Sequence, residues 1–278
     1  MPDRYAVIGH PVAHSRSPWI HAEFARQTGQ DLTYEAILAP LDGFAQAVRA
    51  FRDAGGRGMN VTVPFKQEAF ELSEARSPRA QQAGAVNTLT FEHGRILGDN
   101  TDGAGFVRDV EENLNFALGG RRVLLMGAGG AARGLLFPLL ARGVAHLTIA
   151  NRTVSRAEEL AGIARAAGYR DVAACGYAAL SGERFDLVVN STSVSLAGEL
   201  PPLPAGLFAS GALAYDLVYG RGMTSFLRWA RTSGAGRIAD GLGMLVEQAA
   251  ESFWLWRGVR PATRPVIDRL AQELPPVD

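Results

Sequence analysis

The sequence predicts an α/β protein built around mostly parallel β-sheet. β-rich runs alternate with helical patterns along most of the chain, which is typical of α/β units. The length of 278 residues exceeds the roughly 100–200 residues of one ordinary domain. Two α/β domains are therefore expected, followed by C-terminal helices that pack back on the first domain.

The first predicted domain covers residues 1–102. Its strands are expected at 5–9, 33–38 and 59–63 and in a hairpin at 85–91 and 95–100. A helix follows Ser17, the expected N-cap, with Pro18 at its first position and Gly29 at its end. A second helix is expected at 43–56, and Pro64 opens a third.

The second predicted domain covers residues 103–240 and the C-terminal helices cover 241–278. A helix is expected from Asp102 to about Phe116. A strand, a glycine turn and a helix follow in 121–140, and further strands are expected at 146–151, 186–192 and 212–219. The segment from Gly241 to about Glu273 reads as two helices without another strand.

Composition excludes several classes of function. The 28 acidic residues balance 28 basic residues, so no overall field favours nucleic acid or a membrane surface. The N-terminus lacks the layout of a signal peptide, and Cys175 is the single cysteine. The five histidines lack metal-ligand spacing. The expected protein is cytoplasmic and holds no metal.

Lys66 is the only lysine in the chain, since the other 27 of the 28 basic residues (28 − 1) are arginines. A guanidinium stays charged at any working pH, so arginine cannot replace a titratable amine. Lys66 is therefore a candidate for proton chemistry. The alternative is a single exposed cation without a special role.

The segment GAGGAA at 127–132 fits the pattern G-x-G-x-x-G/A. Gly127 permits a tight turn, Gly129 lets the backbone approach a diphosphate, and the small Ala132 lets helix and strand pack closely. The pattern lies between a predicted strand and a predicted helix, which is the context it requires. A Rossmann-type dinucleotide domain is expected.

The residues after the next strand predict which dinucleotide binds. NAD-binding versions place an acidic residue about 20 positions after the glycine turn, whereas this chain has Asn151, Arg152, Thr153 and Arg156. Two guanidiniums four residues apart on one helical face suit a phosphate. NADP is therefore favoured, against the alternative of a solvated helix start.

Polar residues gather in the first domain. Asn60 and Thr62 share one face of a valine-rich strand, and Asp102 supplies a carboxylate that could instead cap a helix. The other polar candidates are Ser15, Ser17 and Asn87. These hydroxyls, amides, one amine and one acid suit a polyhydroxylated small molecule and lack the basic and aromatic pattern of a nucleic-acid surface.

Several segments together resemble the shikimate dehydrogenase family. They are YAVIGHPVAHSRSP, NVTVPFK, AGAVNT, GDNTDGAG, GAGGAARG, NRTVSRAEEL, YDLVY and ADGLGMLVEQAA, in the order typical of that family and over essentially the whole chain. The resemblance implies reversible reduction of 3-dehydroshikimate to shikimate with NADPH. This step belongs to the biosynthesis of chorismate and aromatic amino acids.

The resemblance also implies roles for single residues. Lys66 and Asp102 would form the catalytic pair. The substrate would be held by Ser15, Ser17, Asn60, Thr62, Lys66, Asn87, Asp102, Tyr219 and Gln248. The cofactor would be held by Gly127, Ala128, Gly129, Gly130, Ala131, Asn151, Arg152, Thr153, Arg156, Thr192, Ser193, Leu217, Gly241 and Met244. Packing alone would also account for Thr192, Leu217, Met244 and Gln248.

Two positions depart from the family pattern, and three other functions stay open. Ser195 stands where the family commonly has glycine, and Arg221 where it often has proline. The alternatives are a quinate/shikimate dehydrogenase with relaxed cofactor use, an NADP-sensing module without activity, and a folate-type dehydrogenase. The sequence is compatible with a monomer or a homodimer.

Overall fold

The computed structural model describes residues 1–192, 198–220 and 222–277, and confirms the α/β class. The chain forms two compact units. The first comprises Met1–Gly105 and Leu245–Val266, and the second comprises Phe106–Met244 and Ile267–Asp278. The sequence instead placed all of 241–278 with the first domain. The difference at the end arises because Leu274 and Pro275 lie beside Gly220 and Gly222 of the second unit.

The first unit contains a six-stranded mixed sheet in the order β2-β1-β3-β5-β6-β4. Its strands are β1 (Asp3–Gly9), β2 (Leu32–Leu38), β3 (Gly56–Val61), β4 (Ala75–Arg76), β5 (Thr88–Glu92) and β6 (Arg95–Asp99). Strands β1, β2 and β3 run parallel, and β5 and β6 form the predicted antiparallel hairpin. The short β4 was not predicted, because two residues carry no alternation.

The helices of the first unit are α1 (Ser17–Thr28), α2 (Phe44–Asp53), α3 (Lys66–Leu72) and α4 (Pro78–Ala83). Gly29 ends α1, as predicted, and it adopts the left-handed conformation. The predicted N-cap is wrong: Arg16 occupies that position and Ser17 is the first helical residue. The N–H of Ser17 donates a hydrogen bond to the side-chain oxygen of Ser15 at 3.3 Å.

The second unit contains a six-stranded parallel sheet in the order β12-β11-β10-β7-β8-β9. Its strands are β7 (Arg122–Met126), β8 (His146–Ala150), β9 (Val172–Cys175), β10 (Phe185–Asn190), β11 (Phe208–Asp216) and β12 (Arg237–Asp240). Numbered from β7, this is the 3-2-1-4-5-6 order of dinucleotide-binding sheets. The predicted Rossmann topology is confirmed.

The remaining helices are α5 (Asp102–Arg108), α6 (Gly130–Ala141), α7 (Val154–Ala166), α8 (Ser225–Thr232), α9 (Leu242–Arg257) and α10 (Arg264–Glu273). A π-helical turn at Asp109–Asn113 continues α5, and a 3₁₀ turn lies at Tyr177–Leu180. Within the described ranges, no helix combines the length and the apolar character needed to cross a bilayer.

Buried apolar side chains fix both sheets. In the first unit, Ile8, Phe44 and Met59 belong to one core whose members are nearly inaccessible to solvent. In the second unit, one core contains Leu125 and Leu135 and another contains Met126 and Phe226. The strands are therefore held firmly, and the loops at their carboxyl ends can carry polar groups.

Candidate active site

One edge of the first sheet collects the predicted polar residues. Strand β1 leads into the segment with Ser15, and β3 ends near Asn60 and Thr62. Because β5 runs antiparallel to β3, Asn60 pairs with Thr88 at the start of β5. Thr88 in turn pairs with Asp99 at the end of β6, just before Asp102. Chain reversal in the hairpin therefore brings distant sequence segments to the same edge.

Lys66 and Asp102 form a close pair in the first unit. The Nζ atom of Lys66 lies 2.6 Å from Oδ2 of Asp102. The Lys66 side chain is 27% exposed and that of Asp102 is 9% exposed, so the amine can reach a ligand while the carboxylate is largely covered. Each is the first residue of its helix, α3 and α5. Lys66 therefore has an acidic partner and is only partly exposed, and its role in proton chemistry stays a prediction.

Asn87 connects this pair to helix α9. Its Nδ2 lies 2.9 Å from Oδ1 of Asp102 and 3.3 Å from Oε1 of Gln248. Its Oδ1 accepts from the backbone N–H of Thr101 at 2.8 Å. The carboxylate of Asp102 is thus held on one oxygen by an amide and on the other by the amine. Gln248 joins the same cluster from α9.

Asn60 lies in a buried group of hydroxyls. Its Nδ2 contacts Oγ of Ser252 at 2.8 Å and Oγ1 of Thr88 at 3.2 Å. Its Oδ1 accepts from the Tyr34 hydroxyl at 2.8 Å. Thr101 lies 3.2 Å from Ser252, oxygen to oxygen. These contacts join the amides of Asn60 and Asn87 through fixed hydroxyl groups.

Thr62 and the two serines complete the first-unit candidates. A Cβ on Gly9 would lie 2.4 Å from Cγ2 of Thr62, so only glycine allows Thr62 to approach the end of β1. Ser15 and Thr62 are half-buried and Ser17 is buried. Their roles toward a ligand stay a prediction.

The predicted glycine turn lies between β7 and α6 in the second unit. Gly127 has φ of 104°, and a Cβ there would meet Oγ of Ser191 at 2.7 Å. By contrast, a Cβ on Gly129 or Gly130 would meet no atom within 4 Å. The first turn of α6 contains no acidic residue. This open helix start without an acidic residue fits a diphosphate, with Ala128 and Ala131 on the same turn.

The predicted nicotinamide-side residues follow the neighbouring strands. Thr192 donates through its backbone N–H and hydroxyl to Oδ1 of Asn190 at the end of β10. The Leu217 N–H bonds to the carbonyl of Asn190 at 3.0 Å. A Cβ on Gly241 would lie 2.3 Å from the carbonyl oxygen of Leu217, which requires glycine there.

Three further predicted residues lie in or beside this part of the chain. Met244 is in the first turn of α9 and packs against the core of the second unit. Tyr219 follows β11 in the second unit, and its predicted contact with the substrate stays a prediction. Ser193 lies outside the described residues, as do the two family departures, Ser195 and Arg221.

The prediction that Arg152 and Arg156 bind a phosphate from one helical face needs one correction. Helix α7 begins at Val154, with Thr153 as its N-cap, so Arg152 precedes the helix and shares no helical face with Arg156. Asn151 instead donates through its side chain to the Thr153 carbonyl at 2.8 Å and shapes this loop. Both arginines are exposed, and neither forms an ion pair within the described residues.

The sequence did not reveal an ion-pair network behind Asp102. Arg79 on α4 binds both carboxylate oxygens of Asp99, at 2.6 and 2.9 Å, and Oε1 of Glu251 at 2.8 Å. Asp99 also accepts from the N–H of Asn100, whose side chain accepts from the N–H of Asp102. Burial raises the pKa of Glu251, but hydrogen bonds from Arg79 and Arg260 outweigh it and lower that pKa.

The sequence also missed Tyr34, Thr101 and Ser252, which contact the predicted amides. Thr101 directly precedes Asp102, and Ser252 lies one helical turn after Gln248. Their spacing from Asp102 and Gln248 is the sequence signal that could have identified Thr101 and Ser252. Tyr34 has none, because its partner Asn60 lies two strands away in the sheet.

The fold and these groups define the class of the protein. A parallel sheet of dinucleotide-binding topology with an open glycine turn follows an α/β unit that carries an amine–carboxylate pair. This combination is that of a two-unit α/β oxidoreductase.

Comparison with known proteins identifies the family. Family models match residues 7–89 as a shikimate dehydrogenase substrate binding domain, 109–197 as shikimate/quinate 5-dehydrogenase, and 241–270 as a shikimate 5'-dehydrogenase C-terminal domain. The chain belongs to the shikimate dehydrogenase family.

Individual relatives agree over nearly the full length. The shikimate dehydrogenase (NADP(+)) of Nitrosospira multiformis is 62% identical over 274 residues, which are 99% of each chain. That of Aromatoleum aromaticum is 63% identical over 98% of each. A crystal structure of shikimate 5-dehydrogenase from Thermus thermophilus in complex with NADP(H) and shikimate has a TM-score of 0.87 and 37% identity, and covers 98% of this chain and 100% of that one.

Proposed function

We propose that this protein catalyses the reversible, NADPH-dependent reduction of 3-dehydroshikimate to shikimate. Support comes from the relatives named above, from the glycine turn with the exposed Arg152 and Arg156, and above all from the pair of Lys66 and Asp102. A cytoplasmic location and a small-molecule substrate are part of this proposal.

The chain's own residues manage one proton and the position of the substrate. The nicotinamide cofactor, when bound, supplies the hydride. In the reducing direction, Lys66 donates a proton from Nζ to the carbonyl oxygen of 3-dehydroshikimate, and that oxygen becomes the hydroxyl of shikimate. Asp102, 2.6 Å away, orients the amine and accepts a hydrogen bond from it. In the oxidising direction, the pair accepts the hydroxyl proton.

The remaining groups of the first unit would orient the ring. Ser15 and Ser17 lie at the N-terminus of α1, where the helix dipole favours an anionic group such as the substrate carboxylate. Asn60, Thr62, Asn87 and Gln248 would bond to further oxygens of the substrate. Holding the substrate in one orientation is a large part of catalysis, because a misplacement of about 1 Å can cost about 100-fold in rate.

The test is a spectrophotometric assay of NADPH formed from shikimate and NADP⁺, repeated with quinate and with NAD⁺. Turnover of shikimate with NADP⁺ is expected to exceed the other combinations. Lys66→Arg keeps the charge but removes the titratable amine, so kcat should fall about 10²-fold or more. Arg95→Lys, at an exposed cation on β6, is the control and should leave kcat unchanged. Near-normal turnover of Lys66→Arg would contradict the proposed proton transfer.

A further inference from the structure

Asn100 is a buried residue whose side chain contacts two segments of the first unit. It is 3% exposed and lies two residues before Asp102. Its Oδ1 accepts a hydrogen bond from the backbone N–H of Asp102 at 3.1 Å, and its Nδ2 donates to the carbonyl of Ala85 at 3.0 Å. One amide therefore joins the turn that leads into α5 to the segment that leads into Asn87.

The peptide group between Ala85 and Val86 extends this link to Lys66. The carbonyl of this group accepts from Asn100, and its N–H donates to the carbonyl of Lys66 at 2.9 Å. A peptide group is planar and rigid, so a bond at one end constrains the bond at the other. The result is a continuous series of hydrogen bonds from the backbone of Lys66 to the backbone of Asp102, in which Asn100 supplies the side chain.

The amide of Asn100 is itself held in one orientation. The N–H of Asp102 can only donate and the carbonyl of Ala85 can only accept, so the oxygen and the nitrogen of the amide cannot exchange places. The backbone N–H of Asn100 donates to Oδ1 of Asp99 at 2.6 Å, and Arg79 binds both carboxylate oxygens of Asp99. The link is therefore anchored from behind by the network around Arg79.

Asn100 and Asn87 hold different parts of Asp102. The side chain of Asn87 donates to Oδ1 of Asp102 at 2.9 Å and so holds the carboxylate. Asn100 instead holds the backbone from which that carboxylate extends. The 2.6 Å contact between Lys66 and Asp102 is therefore supported at the side chain by one amide and at the backbone by the other.

We propose that Asn100 is a positioning residue for the proton transfer, because it fixes the backbones of Lys66 and Asp102 relative to each other. The inference rests on the proposed function, in which this pair exchanges a proton with the substrate. Without the amide, the two helix starts that carry the pair lose the hydrogen-bonded link between their backbones. A misplacement of about 1 Å can cost about 100-fold in rate, and a smaller shift, with Asn87 still on the carboxylate, should cost about 10-fold.

Asn100→Ser tests the inference, with kcat and KM measured for shikimate and NADP⁺. Serine can still accept from the N–H of Asp102, but it is too short to reach Ala85 as well. We expect kcat to fall about 10-fold, while KM for NADP⁺ stays within about 2-fold of the wild-type value. A kcat within about 2-fold of wild type would overturn the proposal.

Thr28→Val is the matched control for the loss of one hydrogen bond from a side chain to the backbone. The Thr28 hydroxyl also donates to a backbone carbonyl of the first unit, that of Phe24 at 2.7 Å. Thr28 is the last residue of α1 and makes no part of the link between Lys66 and Asp102. This control should leave kcat unchanged.

A double-mutant cycle with Lys66→Arg separates positioning from general support of the fold. If Asn100 acts through the pair, Asn100→Ser should lower kcat by less than about 3-fold in the Lys66→Arg background, against about 10-fold alone. Factors that multiply would overturn the proposal. Wild-type protein that does not oxidise shikimate would instead contradict the proposed function.

Should Asn100→Ser not fold, Asn100→Asp replaces it. Aspartate keeps the size of the side chain and an oxygen for the N–H of Asp102, but its carboxylate has no N–H to donate to Ala85. The same fall in kcat is expected, again much reduced in the Lys66→Arg background. A wild-type kcat in this variant would overturn the proposal.

Discussion

The carboxylate of Asp109 lies directly against the backbone of Gly243. A Cβ at residue 243 would lie within 1.8 Å of Oδ1 and 2.5 Å of Oδ2 of Asp109. Asp109 is 3% exposed and accepts from the Tyr215 hydroxyl at 2.6 Å and from Nδ2 of Asn113 at 3.0 Å. Because the carboxylate is buried and held by these bonds, any movement away from Gly243 would break or weaken them. This contact therefore fixes the position of the first turn of α9, which contains Met244.

Gly243→Ala should destabilise the protein. The added methyl group must displace a buried, hydrogen-bonded carboxylate, and overpacking of this kind costs about 1–3 kcal/mol. Gly162→Ala is the matched control, because Gly162 lies inside α7 and a Cβ there would meet nothing within 4 Å. Alanine at that position should stabilise α7 by up to about 1 kcal/mol. Thermal unfolding of both variants measures the difference. Equal midpoint temperatures for Gly243→Ala and Gly162→Ala would contradict the packing argument.

The exposed arginines near α7 should determine cofactor preference. Replacing Arg152 and Arg156 by alanine removes the charges proposed to bind the 2'-phosphate, so kcat/KM for NADP⁺ should fall at least about 10-fold, while kcat/KM for NAD⁺ changes little. Arg165→Ala, in the last turn of the same helix, is the control and should affect neither cofactor. Equal losses in kcat/KM for NADP⁺ and NAD⁺ would contradict the proposed binding of the 2'-phosphate by these two arginines.

The network around Arg79 should matter more for stability than an exposed ion pair. Arg79→Met would leave Asp99 and Glu251, which are 17% and 11% exposed, without their shared cation. Breaking such a covered pair costs about 3 kcal/mol. Arg26→Met removes a pair on α1 in which Arg26 is 70% exposed and should cost less than about 1 kcal/mol. Urea unfolding of both variants measures the difference, and similar losses would mean that the network is solvated.

Local pattern sufficed for most of the fold but not for the short elements. The glycine turn and the apolar runs predicted four strands of the second sheet, β7, β8, β10 and β11, which are mostly buried. They did not predict the edge strands β9 and β12, which are four residues long and mostly only half-buried. The two-residue β4 and the six-residue α4 were not predicted, because segments this short are too brief to show a periodic pattern. Strand β11 begins at Phe208 rather than 212, because Ser210 and Gly211 break the apolar run at its start.

The candidate site was predictable where residues touch through nearby sequence and not where the sheet joins distant segments. Lys66 was selected because it is the only lysine, and Asp102 because it supplies a carboxylate and fits the family pattern. Tyr34 and Arg79 act on residues that tertiary structure brings together, 26 and 20 positions away in sequence. No local pattern encodes such a contact. Arg152 was placed on a helix because the start of α7 cannot be read to within two residues from sequence.

His21 makes the stability of the first unit depend on pH. It is 1% exposed, and neither ring nitrogen has a hydrogen-bond partner among the described residues. Burial lowers the pKa of His21 from 6.5 to about 3, and the nearby Asn60 side chain opposes this only in part. The unfolded chain therefore binds a proton at this residue between pH 6.5 and about 3, while the folded protein does not.

The stability that comes from a neutral His21 is accordingly complete above pH 6.5 and is lost as the pH falls toward 3. At pH 5 the loss should be about 2 kcal/mol relative to pH 8, from about 1.4 kcal/mol per pH unit below 6.5. His21→Phe keeps an aromatic ring against Tyr34 without a titrating group, so its free energy of unfolding should fall less over this range. Urea unfolding at pH 5 and pH 8 measures both proteins, with His14→Ala, at an exposed histidine, as the control. If wild type and His21→Phe lost the same free energy between these two pH values, the acid sensitivity would have to come from carboxylates whose pKa is lowered in the folded protein. Glu251 is such a group, because hydrogen bonds from Arg79 and Arg260 outweigh the effect of its burial on the pKa.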